Sequence, residues 1–234
     1  MNGGRTLRMV ATTVVALLLV VLLWEGYKWM GGQTDDHWPG TSIGLPTTTD
    51  DLTMPHATDI VGELFEEVRD GRARLPLYLF LLKKGWYTFQ EAAIGFTFGL
   101  AIGMGLAILM LRWRVVERGL LPWINVSQTV PLIALAPIIV TWGRLHDLPD
   151  IFSISLISTY LTFFPVAVSA LRGLQSPDAA HLELMRSYAA PWRTTLFKLR
   201  LPAARAYLFP ALKLAATLSV VGAIVGEISI GTKT

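Results

Sequence analysis

The 234-residue sequence contains no cysteine. That excludes disulfides, thiol catalysis and cysteine-based metal sites. Charge is also scarce: Asp, Glu, Lys and Arg make up 16% of the chain, where soluble domains hold about 25%. The four histidines, His37, His56, His146 and His181, fall in loop-like stretches without metal-ligand spacing, so no metal site is expected. There is no G-x4-G-K-[ST] loop to cradle phosphates and no H-E-x-x-H zinc motif. The chain is therefore not expected to hydrolyse ATP or to act as an enzyme, and no catalytic residue or cofactor is assigned. No internal repeat with matching broken helices marks it as a secondary transporter, which stays the alternative reading.

What is present is apolar: 53% hydrophobic residues, with a mean hydropathy of +0.50. These residues come in blocks, as in a polytopic membrane protein. The first block, Val10–Trp24, follows Arg5 and Arg8. No small-residue cleavage site follows it, and Trp24, Tyr27 and Trp29 form an interfacial belt. Residues 1–30 thus read as an uncleaved N-terminal span. Residues 31–80 read as a polar extracytoplasmic loop followed by an amphipathic helix. In that helix Ile60, Val61, Leu64, Phe65 and Val68 recur on one face, and Glu63, Glu66, Glu67 and Asp70 on the other. Residues 81–234 hold four further spans, roughly 86–111, 120–142, 151–171 and 210–230. The fold class expected is all-α, a polytopic helical membrane bundle of about five spans.

Within the second span, Gly95, Gly99 and Gly103 make a small-residue stripe suited to close helix packing. The third carries Pro122, Pro131 and Pro137, tolerated where neighbours or a cavity re-satisfy the backbone. Several polar residues are candidates for a solute pathway. Gln128 and Thr129, beside Pro131, can bond a polar solute without burying charge. Tyr160 could do the same, as could Thr159 and Thr162 beside it on the fourth span; for all of these, Gln128 and Thr129 included, interhelical hydrogen bonding is an equal alternative. Glu91 and Glu227 are intramembrane acids, but they lie near span ends, where interfacial anchoring is an equal alternative.

Orientation follows from Lys and Arg placement. Arg5 and Arg8, then Arg112, Arg114 and Arg118, then Arg172 to Arg205 all share one side if the spans alternate. The N-terminus and the 172–205 loop are expected to be cytoplasmic. Lys83 and Lys84, on the other side, count mildly against this.

The 172–205 loop interrupts two apolar spans with a basic amphipathic insert. Leu182, Met185 and Ala189 share one stripe, and Trp192, Leu196 and Leu199 another. Pro191 discourages helix at Ala190 and suits the first position of a second helix. The pattern predicts helix, tight turn, helix, with an apolar–basic surface for a protein groove or anionic lipid.

This segment resembles the cytoplasmic loop of binding-protein-dependent ABC importer permeases, E-A-A-x3-G-x9-I-x-L-P. Here it reads Glu183-Leu184-Met185-x3-Ala189-x9-Leu199-x-Leu201-Pro202. Ala189 replaces the glycine, implying a less strained turn or a different helix arrangement. "GFTFGLAIGMGLAI", "SQTVPLIALAPIIVTWG", "FFPVAVSALRGLQS" and "LKLAATLSVVGAIVGE" are similar to the nitrate, taurine and aliphatic-sulfonate branch. Within it, the likeness is greatest to members linked to pyrimidine precursors and riboflavin.

The resemblance implies a permease subunit in a bacterial or archaeal cytoplasmic membrane. It would pair with a second copy, dock on a dimer of cytoplasmic ATPases, receive solute from an external binding protein and contact lipid, but not nucleic acid. The solute would be a vitamin precursor, a sulfonate or a nitrate-like anion. The coupling residues implied are Glu183, Met185, Arg186, Ala189, Pro191, Trp192, Arg193, Leu196, Leu201 and Pro202. Glu183 is expected at the start of a short helix, accepting its free N–H groups. The family core has a further span, so an end at "GEISIGTKT" is expected to leave a sixth span missing.

Overall fold

The computed structural model describes residues 3–38, 40–41, 43–70 and 73–231, without the side chains of residues 3–5 and of Ala73. The Arg5 side chain and residues 232–234 of the expected C-terminal truncation thus lie outside the described residues. The chain divides into two compact units, 1–83 and 84–234.

The first unit opens with α1, Gly3–Gln33, whose apolar side chains from Leu7 to Leu23 are exposed along its length. That is the surface of a helix solvated by lipid. At its far end the following loop is clasped onto it. Trp24 Nε1 donates to Pro55 O at 3.0 Å, and Lys28 Nζ to Asp51 at 2.5 Å and Met54 O at 2.7 Å. Glu25 accepts from the Ala57 backbone at 2.7 Å and pairs with His56 at 2.8 Å. The bond from Lys28 holds the Asp51 carboxyl below its ordinary pKa.

The amphipathic helix is shorter than its pattern predicts. α2 covers only Ala57–Glu63. Beyond it, β1 (Glu67–Asp70) pairs antiparallel with β2 (Ala73–Pro76), Glu67 opposite Pro76. Extending the helix would have stacked Glu63, Glu66, Glu67 and Asp70 at i, i+3, i+4 and i+7, where like charges repel. The hairpin spreads them apart, and Lys83 neutralises Asp70 at 2.6 Å.

α3, Leu77–Arg112, begins in the first unit, and its residues from Lys84 on belong to the second. In the second unit α4 (Arg114–Ser127), α5 (Leu132–Leu145), α6 (Asp150–Gln175) and α10 (Arg205–Ile230) follow, with short helices between the last two. α6 is the central element. Its buried face is small and hydroxylic: Ser153, Ser155, Ser158, Thr159 and Thr162 lie among Ile154, Ile157, Val166, Ala167 and Ala170.

Against this face the α3 stripe closes tightly. A Cβ on Gly99 would lie 2.7 Å from Thr162 Cγ2 and 3.1 Å from Thr159 O, and one on Gly103 2.7 Å from Phe163 O. Backbones this close exclude any side chain, so the stripe packs helices as expected. Ser155 Oγ and Thr159 Oγ1 then reach the Glu91 and Gly95 carbonyls, each at 3.3 Å.

The expected third span is two helices, α4 and α5, meeting at 96°. Their contacts nonetheless follow α6 from its last turn to its first. Gln175 donates to Glu117 at 2.9 Å, Tyr160 reaches Ser127, Val140 packs with Ile157, and Arg144 lies 3.7 Å from Asp150. A re-entrant loop would turn back partway along α6. The two ends of this pair lie at opposite ends of α6, as those of one broken span would.

Candidate functional site

Two places carry the residues singled out by the sequence. The first is the insert between α6 and α10. α7 spans Ala179–Ser187 and ends on a left-handed residue, Ala189, at φ +49°. Ala189 N–H donates to Arg186 O at 2.8 Å and Ala190 N–H to Met185 O at 3.0 Å. This pair of bonds is a Schellman termination, whose left-handed position favours glycine. The expectation of a less strained turn is therefore corrected. Ala189 adopts the backbone that the motif's glycine would, at a cost of about 1–2 kcal/mol for its Cβ.

Pro191 follows in extended conformation as the cap residue of α8, Trp192–Thr195, one position before the helix rather than within it. A five-residue π turn, Leu196–Arg200, then leads into α9, Leu201–Ala203. The wide turn has a cause in Pro202, which lacks the N–H that Lys198 O would accept in an α-helix. Arg200 reaches back to cap α6, donating to Leu174 O at 2.7 Å. Burial, with a smaller effect from Arg186, lowers its pKa from the ordinary arginine value.

Most of the coupling candidates are solvent-accessible. Glu183, Arg186, Ala189, Pro191, Trp192, Arg193 and Pro202 are exposed, while Met185 and Leu201 are half-buried. Arg112 lies over the Trp192 ring at 5.8 Å. Two expectations are corrected. Leu196 is 4% exposed and sits in the core with Met110, Leu171 and Leu174, away from any docking partner. Glu183 is mid-helix, since α7 begins four residues earlier, so it does not accept the helix's free N–H groups.

The second place is the seam along α6. Gln128 and Thr129 are exposed at the break between α4 and α5. Tyr160 does not face open space: its hydroxyl donates to Ser127 O at that break. Glu91 is 7% exposed, faces Glu227, and has one carboxylate oxygen without a hydrogen-bond partner among the described residues. Glu227 accepts from Thr88 Oγ1 at 2.6 Å. The two acids thus face each other across α3 and α10, Glu91 buried and Glu227 partly exposed.

Sequence reasoning missed the Tyr160–Ser127 pairing. Its signal was available in Pro131, four residues after Ser127. It also passed over Gly40-Thr41-Ser42-Ile43-Gly44, which spells the bare G-x-S-x-G pattern. A nucleophile of that kind needs a strand-to-helix turn. Here the stretch lies in a turn closed by the His37–Gly44 bridge and by Trp38 N–H on Ile43 O at 2.9 Å, and Ser42 is outside the described residues.

Residues 98–233 match the family described as binding-protein-dependent transport system inner membrane component. The chain belongs to this family. Among curated relatives of this inner-membrane component, it is 36% identical over 140 residues to the formylaminopyrimidine transport permease protein ThiX of Halalkalibacterium halodurans, covering 60% of this chain and 54% of that one. It is 28% identical to the putative aliphatic sulfonates transport permease protein SsuC of Bacillus subtilis, over 59% of this chain and 49% of that one. It is also 28% identical to the riboflavin transport system permease protein RibX of Chloroflexus aurantiacus, over 52% and 43%. The chain spans about half the length of the curated relatives it matches. Among the described residues, no cluster of His, Cys, Asp or Glu could hold a metal ion.

Proposed function

We propose that this chain is the membrane-spanning permease subunit of a binding-protein-dependent ABC importer for a small organic solute. The observation that carries the reading is the α7 turn. The importer-permease pattern has glycine where this chain holds Ala189 in the left-handed conformation that glycine favours. The turn presents an apolar–basic surface of Trp192, Arg186 and Arg193 suited to a groove on a partner.

In this reading the 172–205 loop and the N-terminus face the cytoplasm. Two ATPase subunits dock on α7 and α8, a second copy of the permease completes the pathway, and an external binding protein delivers solute. ATP is hydrolysed by the partner, and rigid-body motion passes through the loop to the spans. Relatives named for a formylaminopyrimidine, aliphatic sulfonates and riboflavin support a small organic solute, a vitamin precursor or sulfonate, over a macromolecular one. Gln128 and Thr129 line the pathway at the break. Glu227, accepting from Thr88, ties α3 to α10 with Glu91 facing it, rather than contacting solute.

The test is co-purification of the matched ATPase with this chain from membranes, followed by ATP-driven uptake in vesicles with the binding protein. Trp192→Ala is expected to insert normally and lose most of the bound ATPase. Normal ATPase occupancy and uptake in that variant would remove the loop from the coupling role.

A further inference from the structure

The break in the third span has a counterpart on the helix it faces. In an unbroken α-helix the Ser127 carbonyl would accept the N–H of residue 131. Residue 131 is proline and has none. A carbonyl left without a donor at membrane depth is costly, so another group must reach it. That group is the Tyr160 hydroxyl, from α6. Neighbouring hydroxyls are engaged within their own turn: Ser127 Oγ donates to Ile124 O at 2.7 Å, and Thr129 Oγ1 to Val126 O at 2.8 Å. Phe163 props the Tyr160 ring, with centroids 6.0 Å apart.

We propose that Tyr160 is a latch on the third span. Its bond to Ser127 O holds α4 and α5 at their sharp angle, and exchange of that bond for water or a polar solute frees the two helices to re-angle as the pathway opens. The inference deepens the permease reading and rests on it for the word pathway. Its physical basis is local. A backbone ladder bond cannot replace the latch, because Pro131 offers no donor. The carbonyl can therefore leave Tyr160 only when another donor arrives, and Gln128 and Thr129 are exposed beside it. Solute or water entering at the break competes for the same acceptor, which ties occupancy of the break to its geometry. Tyr160 is on this view a positioning residue, not a contact for the transported molecule.

The absence of cysteine makes a direct test simple. Thr129→Cys is introduced into the full chain in native membranes, and its modification rate by a small thiol reagent is measured. Adding Tyr160→Phe is expected to raise that rate about fivefold or more, the factor expected from losing one hydrogen bond. Adding Pro131→Ala as well restores a backbone N–H for Ser127 O, and is expected to return the rate most of the way. Pro131→Ala with Tyr160 intact is expected to label no faster than the parent. A structural defect caused merely by losing the hydroxyl would not be rescued by a change at residue 131. An unchanged rate in Tyr160→Phe overturns the latch, as does a raised rate that Pro131→Ala fails to suppress. Labelling requires neither ATPase nor uptake. ATP-driven uptake without a labelling change therefore rejects the latch alone, and the labelling pattern without ATPase binding rejects the importer reading alone.

Discussion

Ala189 shows how one side chain can be at odds with the backbone around it. Its φ of +49° is enforced by two Schellman bonds and by Pro191 two residues on, not by any preference of alanine. Ala189→Gly is therefore expected to stabilise the turn by about 1 kcal/mol. Slower amide exchange at Ala190 would register it, and unchanged exchange would show that the strain is relieved elsewhere. Ala189→Pro should do the opposite, because proline cannot reach positive φ, and uptake should fall while insertion persists. Trp192→Ala removes the cation–π contact with Arg112, worth about 0.5–1 kcal/mol at an exposed site. It should lower thermal stability only slightly while weakening docking by about 2 kcal/mol or more, as loss of a central aromatic anchor does. Calorimetry beside a pull-down separates the two effects. The exposure of Trp192 and the turn at Ala189 were legible from residue spacing. The burial of Leu196 was not, because Met110, Leu171 and Leu174, which cover it, lie on α3 and α6, and the spacing around residue 196 carries no record of them.

Among the elements, α3 and α6 illustrate a seam readable from one side only. The stripe Gly95, Gly99, Gly103 announces a close approach, but not what approaches. The partner is the hydroxylic face of α6, with Thr159 and Thr162 opposite Gly99. Gly99→Leu is expected to destabilise the α3–α6 pair by roughly 1–3 kcal/mol through overpacking. Gly105→Leu, where a Cβ would meet nothing within 4 Å, should be tolerated. Detergent melting temperatures of the two variants check this, and equal losses would place the packing elsewhere. The third span teaches the converse. Its length and hydropathy suggest one helix, and its three prolines suggest a weak point without locating it. The break falls beside Pro131, where the missing N–H leaves a carbonyl that Tyr160 on the neighbouring helix takes up. At Pro122 and Pro137 the helices continue.

For the molecule as a whole, the predicted topology is open to one experiment on the cysteine-free background. A cysteine at Ser187 should react with an impermeant reagent only from the cytoplasmic side of inverted membranes, and one at Leu52, 96% exposed, only from outside. Labelling of both from the same side would invert or discard the assignment. By itself the sequence determined the membrane-spanning character, the approximate spans and the basic insert between two of them. These follow from composition and local spacing, which act on neighbours along the chain. It also determined the family, because a gapped motif survives individual substitutions. Only the tertiary structure decided which polar groups meet: Glu91 with Glu227 across α3 and α10, and Tyr160 with Ser127. It likewise turned Leu196 into the core and replaced half of an amphipathic helix with a hairpin. For the polar pairs and for Leu196 the deciding partner lies far along the chain or on another element. A buried polar group takes whichever donor or acceptor the packing brings within reach, and periodicity carries no record of that partner.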